Sequence, residues 1–485
     1  MIEALFILWF ILNLALLVFV VHELYLMVIA LFRKKKKTPQ YDQKKQYSVT
    51  VQLPVYNEKY VIERLLKSAA SLDYPDHLLE IQVLDDSTDE TTELIQKFIA
   101  NNERGAVFKH IRREDRSGYK AGALDYGLNT AEGEFIAVFD ADFIIEPSFL
   151  EKVVPLFADE NVGVVQTKWL HVNEKYTLLT RAQAIMLNTH FSIEQLGRSS
   201  AKCFINFNGT AGIWRKVCIS DAGGWHADTL TEDLDLSYRA QIKGWKFAYL
   251  FDVGSPAELP VTFEAYRTQQ HRWSKGAAEC VRKNWKLLWG AKIPLKAKIL
   301  GAFHLLNSSV YLLIIPLILL SPIIYYVTKN NLIELELSQE MSAIGLITTS
   351  LLILIFFTGN LIGQKNKLKR ILLFIPSLFM FFAMTSGISL YMIIGVIQGY
   401  RRKSSAFVRT PKFGEKGELK DKIKKGYDFK KEFSLKAFEA FFLCYGVFIT
   451  YIAVVDLNLI MAVYGLIITV GYSLAVIFNR RTFKV

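Results

Sequence analysis

An α/β domain set between membrane-spanning helices is the fold this sequence predicts, and three observations predict it. Long apolar segments lie at both ends, at 4–32 and then at 303–327, 343–363, 371–399, 437–455 and 457–478. Most of them meet the roughly 20 apolar residues that a bilayer crossing requires. The region from 38 to 295 holds no such run. Within it, short apolar strands alternate with helical patterns, as in a mostly parallel sheet covered by helices.

The first apolar segment is interrupted only by Asn13 and by His22-Glu23. It is too long for a signal peptide and lacks a small-residue cleavage site. Arg33 and Lys34–Lys37 follow it directly, which places that end in the cytoplasm. Three parts result: a membrane helix over 1–33, a cytoplasmic domain over 38–295, and a membrane domain over 296–485. The net charge of +12 sits largely beside apolar segments, at 33–37, 365–370, 401–431 and Arg480-Arg481. That distribution fits topology and anionic lipid headgroups, and no nucleic-acid partner is expected. Cys203, Cys218, Cys280 and Cys444 show no metal-ligand spacing and read as free packing thiols.

Charge also orders the C-terminal segments. Residues 303–327 lead outward, the net acidic loop 328–341 stays outside, and 343–363 returns to Lys365, Lys367, Lys369 and Arg370. A single crossing by 371–399 would leave the basic stretch 401–431 outside. Lying along the interface, the segment keeps that stretch inside, and 437–455 and 457–478 then cross out and back. Five crossings and one interfacial helix are therefore expected, with a two-span hairpin at 371–399 as the alternative.

Inside the polar domain, Val49–Leu53 reads as a buried strand ended by Pro54, with Asn57 able to cap a helix over 58–70. Ile81–Leu84 is a second strand running into Asp85-Asp86, followed by Ser87, Thr88 and Asp89 as caps for a helix over 90–100. Phe135–Phe139 is a strand ending at Asp140, and Val162–Thr167 is another. Ligands of parallel sheets bind at strand carboxyl ends. Two acidic clusters sit at such ends.

Asp140-Ala141-Asp142 sets two carboxylates at i and i+2, which suits a hard divalent cation, Mg2+ or Mn2+, shared with substrate phosphates. Asp85-Asp86 serves either as a helix cap or as a partner for a nucleoside. Glu232 and Asp233 open an amphipathic helix, where acids complement the helix dipole. Asp233 is alternatively a general base for an acceptor hydroxyl. In Gln269–Trp273, Arg272 suits bidentate phosphate contact and Trp273 offers a flat face to a sugar. Both residue types also anchor at membrane interfaces. The small-residue loops Phe207–Gly212 and Gly118–Gly122 let backbone approach a ligand, the second with Lys120 facing a diphosphate, unless either is only a turn.

Assembled in this order, the clusters resemble the D, DxD, TED, QxxRW pattern of inverting family 2 glycosyltransferases of the cellulose synthase superfamily. Val83–Ser87, Gly118–Gly122, Phe207–Gly212 and Gln269–Trp273 are similar to the plant cellulose synthase-like A and C groups, over about residues 47–285. The resemblance implies a GT-A (Rossmann-like) domain. Pro54, Tyr56, Glu58, Asp85, Asp86, Lys120, Asp140, Gln269 and Arg272 would bind the nucleotide-diphospho-sugar. Asp140 and Asp142 would hold the metal. Asp233, with Glu232 and Arg272, would carry the chemistry. Asn208, Gly209, Thr210 and Trp273 would meet the acceptor polysaccharide. Phe407, Thr410 and Lys412 are similar to the gating loop of bacterial cellulose synthase, here within 401–435. Only one span precedes the domain and the chain stops after its last span, so no cyclic-di-GMP-binding domain is expected.

The resemblance implies a processive membrane hexosyltransferase polymerising a β-linked, β-1,4 glucan or mannan/glucomannan from UDP-glucose or GDP-mannose and translocating it across the membrane. Its composition suggests a bacterial plasma membrane; a plant-like protein would sit in the Golgi. Two alternatives stay open: single transfer to a lipid acceptor, and a catalytically silent polysaccharide-export subunit. A glycoside hydrolase, which also pairs carboxylates, has no need of a metal pair or a cytoplasmic site.

Overall fold

In the computed structural model, which describes residues 2–33, 47–332, 335–364, 366–403, 412 and 435–480, the polar domain is built on one sheet. Its strands are β1 (Val49–Val55), β2 (Leu79–Asp85), β3 (Phe108–Ile111), β4 (Phe135–Val138), β5 (Val162–His171), β6 (Gly212–Arg215) and β7 (Lys246–Ala257). Their spatial order is β3-β2-β1-β4-β6-β5-β7. The pairs β3-β2, β2-β1, β1-β4 and β5-β7 are parallel, while β6 runs antiparallel to both its neighbours. Strand order reverses between β1 and β4, which opens a crevice at their carboxyl ends, where such sheets bind ligands. Tyr56 and Asp140 flank that crevice.

Alternation along β1 gives the sheet its two faces. Val49, Val51, Leu53 and Val55 enter one apolar cluster. Thr50 and Gln52 face the other way and are paired inside the protein, Thr50 Oγ1 to Glu80 and Gln52 Nε2 to Gln82 at 3.0 Å. The expected strands and the helix at Asp233 are present. The helix expected from 58 starts instead at Ile62, as α2 (Ile62–Ala70), after a turn in which Val61 N donates to Glu58 O. Asn57 does not cap it. Its backbone takes positive φ (54°), and its Oδ1 accepts from Thr88 N at 2.8 Å, tying the β1 and β2 ends together.

Further helices position the site: α1 (Ile2–Leu31), α3 (Thr91–Asn101), α4 (Tyr119–Thr130), α5 (Leu178–Thr189), α6 (Glu232–Ile242) and α7 (Phe263–Gly290). The C-terminal part includes α8 (Tyr311–Lys329), α9 (Leu335–Leu361), α10 (Lys367–Tyr400), α11 (Lys436–Val455) and α12 (Leu459–Arg480). Among the described residues, six helices are long and apolar enough to cross a membrane.

Contacts give these helices a direction. Ala30, at the end of α1, packs on Leu196 and Phe251 of the polar domain. Asn360, at the end of α9, donates to Ile185 O at 3.2 Å. Lys329, at the end of α8, pairs with Asp456 in the α11–α12 turn, and Tyr325 donates to the same carboxylate at 3.0 Å. Lys329 and Asp456 therefore mark the pole away from the sheet. Helix α10 behaves differently. Near its start Arg370 pairs with Glu174 at 3.0 Å, and near its end Gly399 lies against Lys275 and Ala278 of α7. Both ends of a helix about 51 Å long thus touch the polar domain.

Midway along α10, Gly387 rests on the backbone of Gly471 in α12, where an added Cβ would overlap the carbonyl. Glycine is needed for that approach. Gly387→Val is expected to cost about 1–3 kcal/mol through overpacking. A thermal melt of detergent-solubilised protein should register an earlier transition, and an unchanged melt would mean the two helices tolerate separation.

Candidate active site

The site grows from the end of β4. After Phe139 the chain turns, with Phe143 N bonded to Asp140 O at 3.1 Å, so that Asp140 and Asp142 project from one tight loop. Thr210 Oγ1 fixes that loop by accepting from Asp140 N at 2.9 Å. Thr210 is wholly buried, so it supports the Asp140 loop from behind. Lys120 Nζ, from the first turn of α4, donates to Asp140 Oδ1 at 2.5 Å and to Gly209 O at 2.8 Å. Lys412 Nζ lies 2.6 Å from Asp142 Oδ2, which also accepts from Glu258 N at 3.2 Å. Each carboxylate therefore holds an ammonium where a cation would sit. Oxygen donors of this kind fit Mg2+ or Mn2+.

Asp233 enters from α6 on the other side of Lys120. Gly209 has positive φ (76°), and a Cβ there would stand 3.1 Å from Asp233 Oδ2 and 3.5 Å from Lys120 Nζ. A side chain at this position would strain the backbone and crowd the Asp233 carboxylate. Burial, reinforced by the charge of Glu232, pushes the Asp233 carboxyl up to about 7, against the pull of Lys120 and Arg272. Lys120 is raised as well: burial opposes its charge, but Asp140, Glu232 and Asp233 outweigh burial. Burial lowers Arg272, with Glu232, Asp140 and Asp233 opposing that effect. Three acids and two bases thus share one desolvated space.

The relative placement of α6 and α7 is set by a strut behind the site. Lys283 Nζ lies 3.0 Å from His226 Nδ1, 2.6 Å from Asp228 Oδ1 and 3.0 Å from Asp235 Oδ2. His226, Asp228 and Asp235 are the types and spacing of a metal site, but the ammonium already occupies their centre. Asn284 adds a 3.0 Å bond to Asp235. The helix bearing Asp233 is thereby locked to the helix bearing Arg272 and Trp273.

Beyond Asp140 the cavity meets Pro54, Tyr56, Glu58 and Asp86. Asp86 accepts two bonds from Arg113, at 2.9 and 2.5 Å. The Arg116 guanidinium stacks 3.3 Å from the Tyr56 ring centroid. Asp85 does not reach this space, contrary to the expectation that it binds the nucleoside. It is 1% exposed and accepts from Ser87 N, Thr92 Oγ1 and His110 Nε2 at 2.8–2.9 Å, so it organises the loop. Gln269, Arg272, Trp273, Asn208 and Gly209 line the same cavity. Phe407 and Thr410 lie outside the described residues.

Sequence reasoning missed Arg113, Arg116, Arg64 and Glu258. The first two lie in a basic run after β3, and a basic run at a strand end was an available signal. Arg64 bridges Glu258 Oε1 at 2.6 Å and Asp142 O at 3.2 Å, a contact between distant segments that left no local signature.

The cavity encloses about 1010 Å3 and does not stop at the polar domain. It continues between Leu16 and Phe19 of α1, Ile314 of α8, Ile353 of α9, Phe382 of α10 and Ile467 of α12. One space joins the acidic cluster to the membrane helices.

Comparison with known proteins bears on the family of this stretch and on its fold. Residues 46–276 match the family described as "Glycosyltransferase like family 2". Glucomannan 4-beta-mannosyltransferase 2 of Arabidopsis thaliana is 46% identical over 241 residues, covering 48% of this chain and 45% of that protein. Glucomannan 4-beta-mannosyltransferase 1 of Oryza sativa subsp. japonica is 39% identical over 291 residues, or 56% of each. The matches thus span about half the length of these curated relatives. Among solved structures, the mannosyltransferase PcManGT from Pyrobaculum calidifontis, in complex with GDP-Man and Mn2+, superposes with a TM-score of 0.57 at 20% identity. The superposition covers 83% of this chain and 100% of that one. At that identity the likeness speaks to the fold, a mixed GT-A sheet. Residues 46–276 match a glycosyltransferase family 2 domain and have a GT-A type fold, and curated relatives of that stretch are named glucomannan 4-beta-mannosyltransferases.

Proposed function

We propose that this protein is a processive, inverting hexosyltransferase that builds a β-1,4-linked mannan or glucomannan from GDP-mannose and passes it outward between its membrane helices. The observation that carries the reading is the single cavity running from Asp86 past Asp140, Asp142 and Asp233 into the membrane helices. The names of the relatives support mannose over glucose as the donor sugar.

In this reading the nucleotide lies at Tyr56, Asp86 and Arg116, and its diphosphate reaches Lys120 and Arg272. Asp140 and Asp142 would hold Mg2+ or Mn2+, which when bound neutralises charge on the leaving diphosphate. Trp273 stacks the terminal acceptor sugar. Its hydroxyl oxygen bonds to the anomeric carbon from the face opposite the diphosphate. Asp233 takes the hydroxyl proton, and the electron pair of the breaking C–O bond leaves with the diphosphate oxygen, inverting the centre. Lys120 and Arg272 stabilise that growing charge in a desolvated site.

Purified protein with GDP-mannose and divalent metal should yield a product that β-1,4-mannanase digests, while UDP-glucose alone yields little. Asp233→Asn should abolish transfer and keep donor affinity. Turnover near the unmodified level would remove Asp233 as the base. Single transfer to a lipid acceptor is a second reading, favoured by the apolar intramembrane walls at Leu16, Ile314 and Ile353. A product extractable into organic solvent with one added sugar would select it.

A base works only as its carboxylate. With Asp233 at about 7, kcat/KM should rise with pH through that value and then level off. Glu232 contributes to the elevation, so Glu232→Gln should move the acidic limb to lower pH. A limb that stays in place would show that Asp233 does not set it.

Five crossings, with α10 lying along the cytoplasmic interface, fit the contacts at both of its ends. Cysteines introduced as Asn366→Cys and Lys403→Cys should both require permeabilisation to react with an impermeant maleimide, whereas Leu457→Cys should react in intact cells. Opposite behaviour of positions 366 and 403 would make α10 a crossing.

A further inference from the structure

Past Thr189 the helix α5 loosens into a π-helical turn, His190–Gln195. Such turns are rare and frequently mark functional sites. Here the turn brings His190 and Glu194 to the cavity wall beside Asn206 and Asn208. His190 Nδ1 lies 3.1 Å from Glu194 Oε2, and its Nε2 lies 3.1 Å from Asn208 Oδ1.

Helix α1 completes the wall. Leu16, Phe19, Val20 and Glu23 line the cavity on one face of that helix, so Glu23 caps an apolar stripe at its cytoplasmic end. Glu23 lies eight residues before the helix ends, roughly 12 Å of helix. An ionisable residue placed within a membrane helix is costly and marks function by default.

Its nearest cation does not satisfy it. Arg198 Nη2 stands 3.6 Å from Glu23 Oε1 and 3.8 Å from Glu194 Oε2, beyond hydrogen-bond reach. Arg198 is 1% exposed, yet its Nε, Nη1 and Nη2 have no hydrogen-bond partner among the described residues. The same holds for Glu23 Oε2, Asn206 Oδ1 and Asn208 Nδ2. Leaving a buried polar group without a partner is costly. A row of them along a cavity, with acceptors and donors interleaved, matches a ligand that carries many hydroxyls.

We infer that Glu23, His190, Glu194, Asn206 and Asn208 form a second acceptor subsite, which takes a hexose unit set back from the reacting hydroxyl on its way into the membrane. The inference rests on the mannosyl-transfer reading and adds a recognition role for the first membrane helix. Glu23 and Glu194 accept sugar hydroxyls, and Asn208 Nδ2 donates to a sugar oxygen.

The test uses the full chain in detergent, GDP-mannose, and β-1,4-mannooligosaccharides of two to six units. For the unmodified protein, acceptor KM should fall at least tenfold once the oligomer is long enough to reach the subsite. Glu23→Gln should flatten that fall, while the KM for GDP-mannose stays within twofold. Asn206→Ala serves the same purpose should the first variant fail to fold. A KM raised equally at every length, or a length profile like that of the unmodified protein in the folded variants, would overturn the subsite. So would an unmodified protein indifferent to acceptor length. Absence of any mannosyl transfer by the unmodified protein would instead overturn the reading beneath it.

Discussion

Acids of like charge crowd one desolvated space in this protein, and the rest of the architecture follows from holding them there. Asp140, Glu232 and Asp233 all act on the same two cations, Lys120 and Arg272. Two like charges about 4 Å apart repel by about 4 kcal/mol at an effective dielectric of 20. A domain is stable by only about 5–15 kcal/mol. No sheet could carry this cluster without internal counter-charges fixed to a rigid frame.

That frame has three anchors. The left-handed Gly118 (φ 67°) starts α4 so that Lys120 points into the crevice. The Lys283 ammonium, gripped by Asp228 and Asp235, fixes α6 against α7. Gly209 leaves the room that Asp233 and Lys120 share. Only the first and third were foreshadowed in the sequence, as small-residue loops. The strut was not, because Asp235 and Lys283 lie 48 positions apart and each reads as an ordinary helical surface charge.

Legibility followed locality. Strands β1, β2, β4 and β5 announce themselves as short apolar runs, and the acids at the ends of β2 and β4 are visible with them. Strand β6 is hidden in a glycine-containing loop, because its four residues gain strand character only between β4 and β5. Strand β7 carries Gly254 and Pro256, residues depleted in strands. Its pairing with β5 at the sheet edge overrides that preference. Asp85 and Asp86 are adjacent, and alternation along the strand sends them to opposite sides. Sequence identified the pair but could not choose between them, since the choice depends on His110 arriving from β3.

Membrane and polar parts are one machine in this protein. Helix α7 carries Arg272 and Trp273 and is tied to the membrane domain by Arg267, which approaches Glu439 of α11 at 3.7 Å and covers the Tyr391 ring of α10 at 4.3 Å. Lys412, from the segment after α10, reaches back to Asp142. The family-matched stretch ends at residue 276, within α7 and before the strut residues Lys283 and Asn284. A fragment cut at that boundary would keep every acidic motif yet lose the contacts that hold α6 and α7 in register. The motifs supply the acidic groups, whereas the distances between them are set by residues that lie outside the motifs.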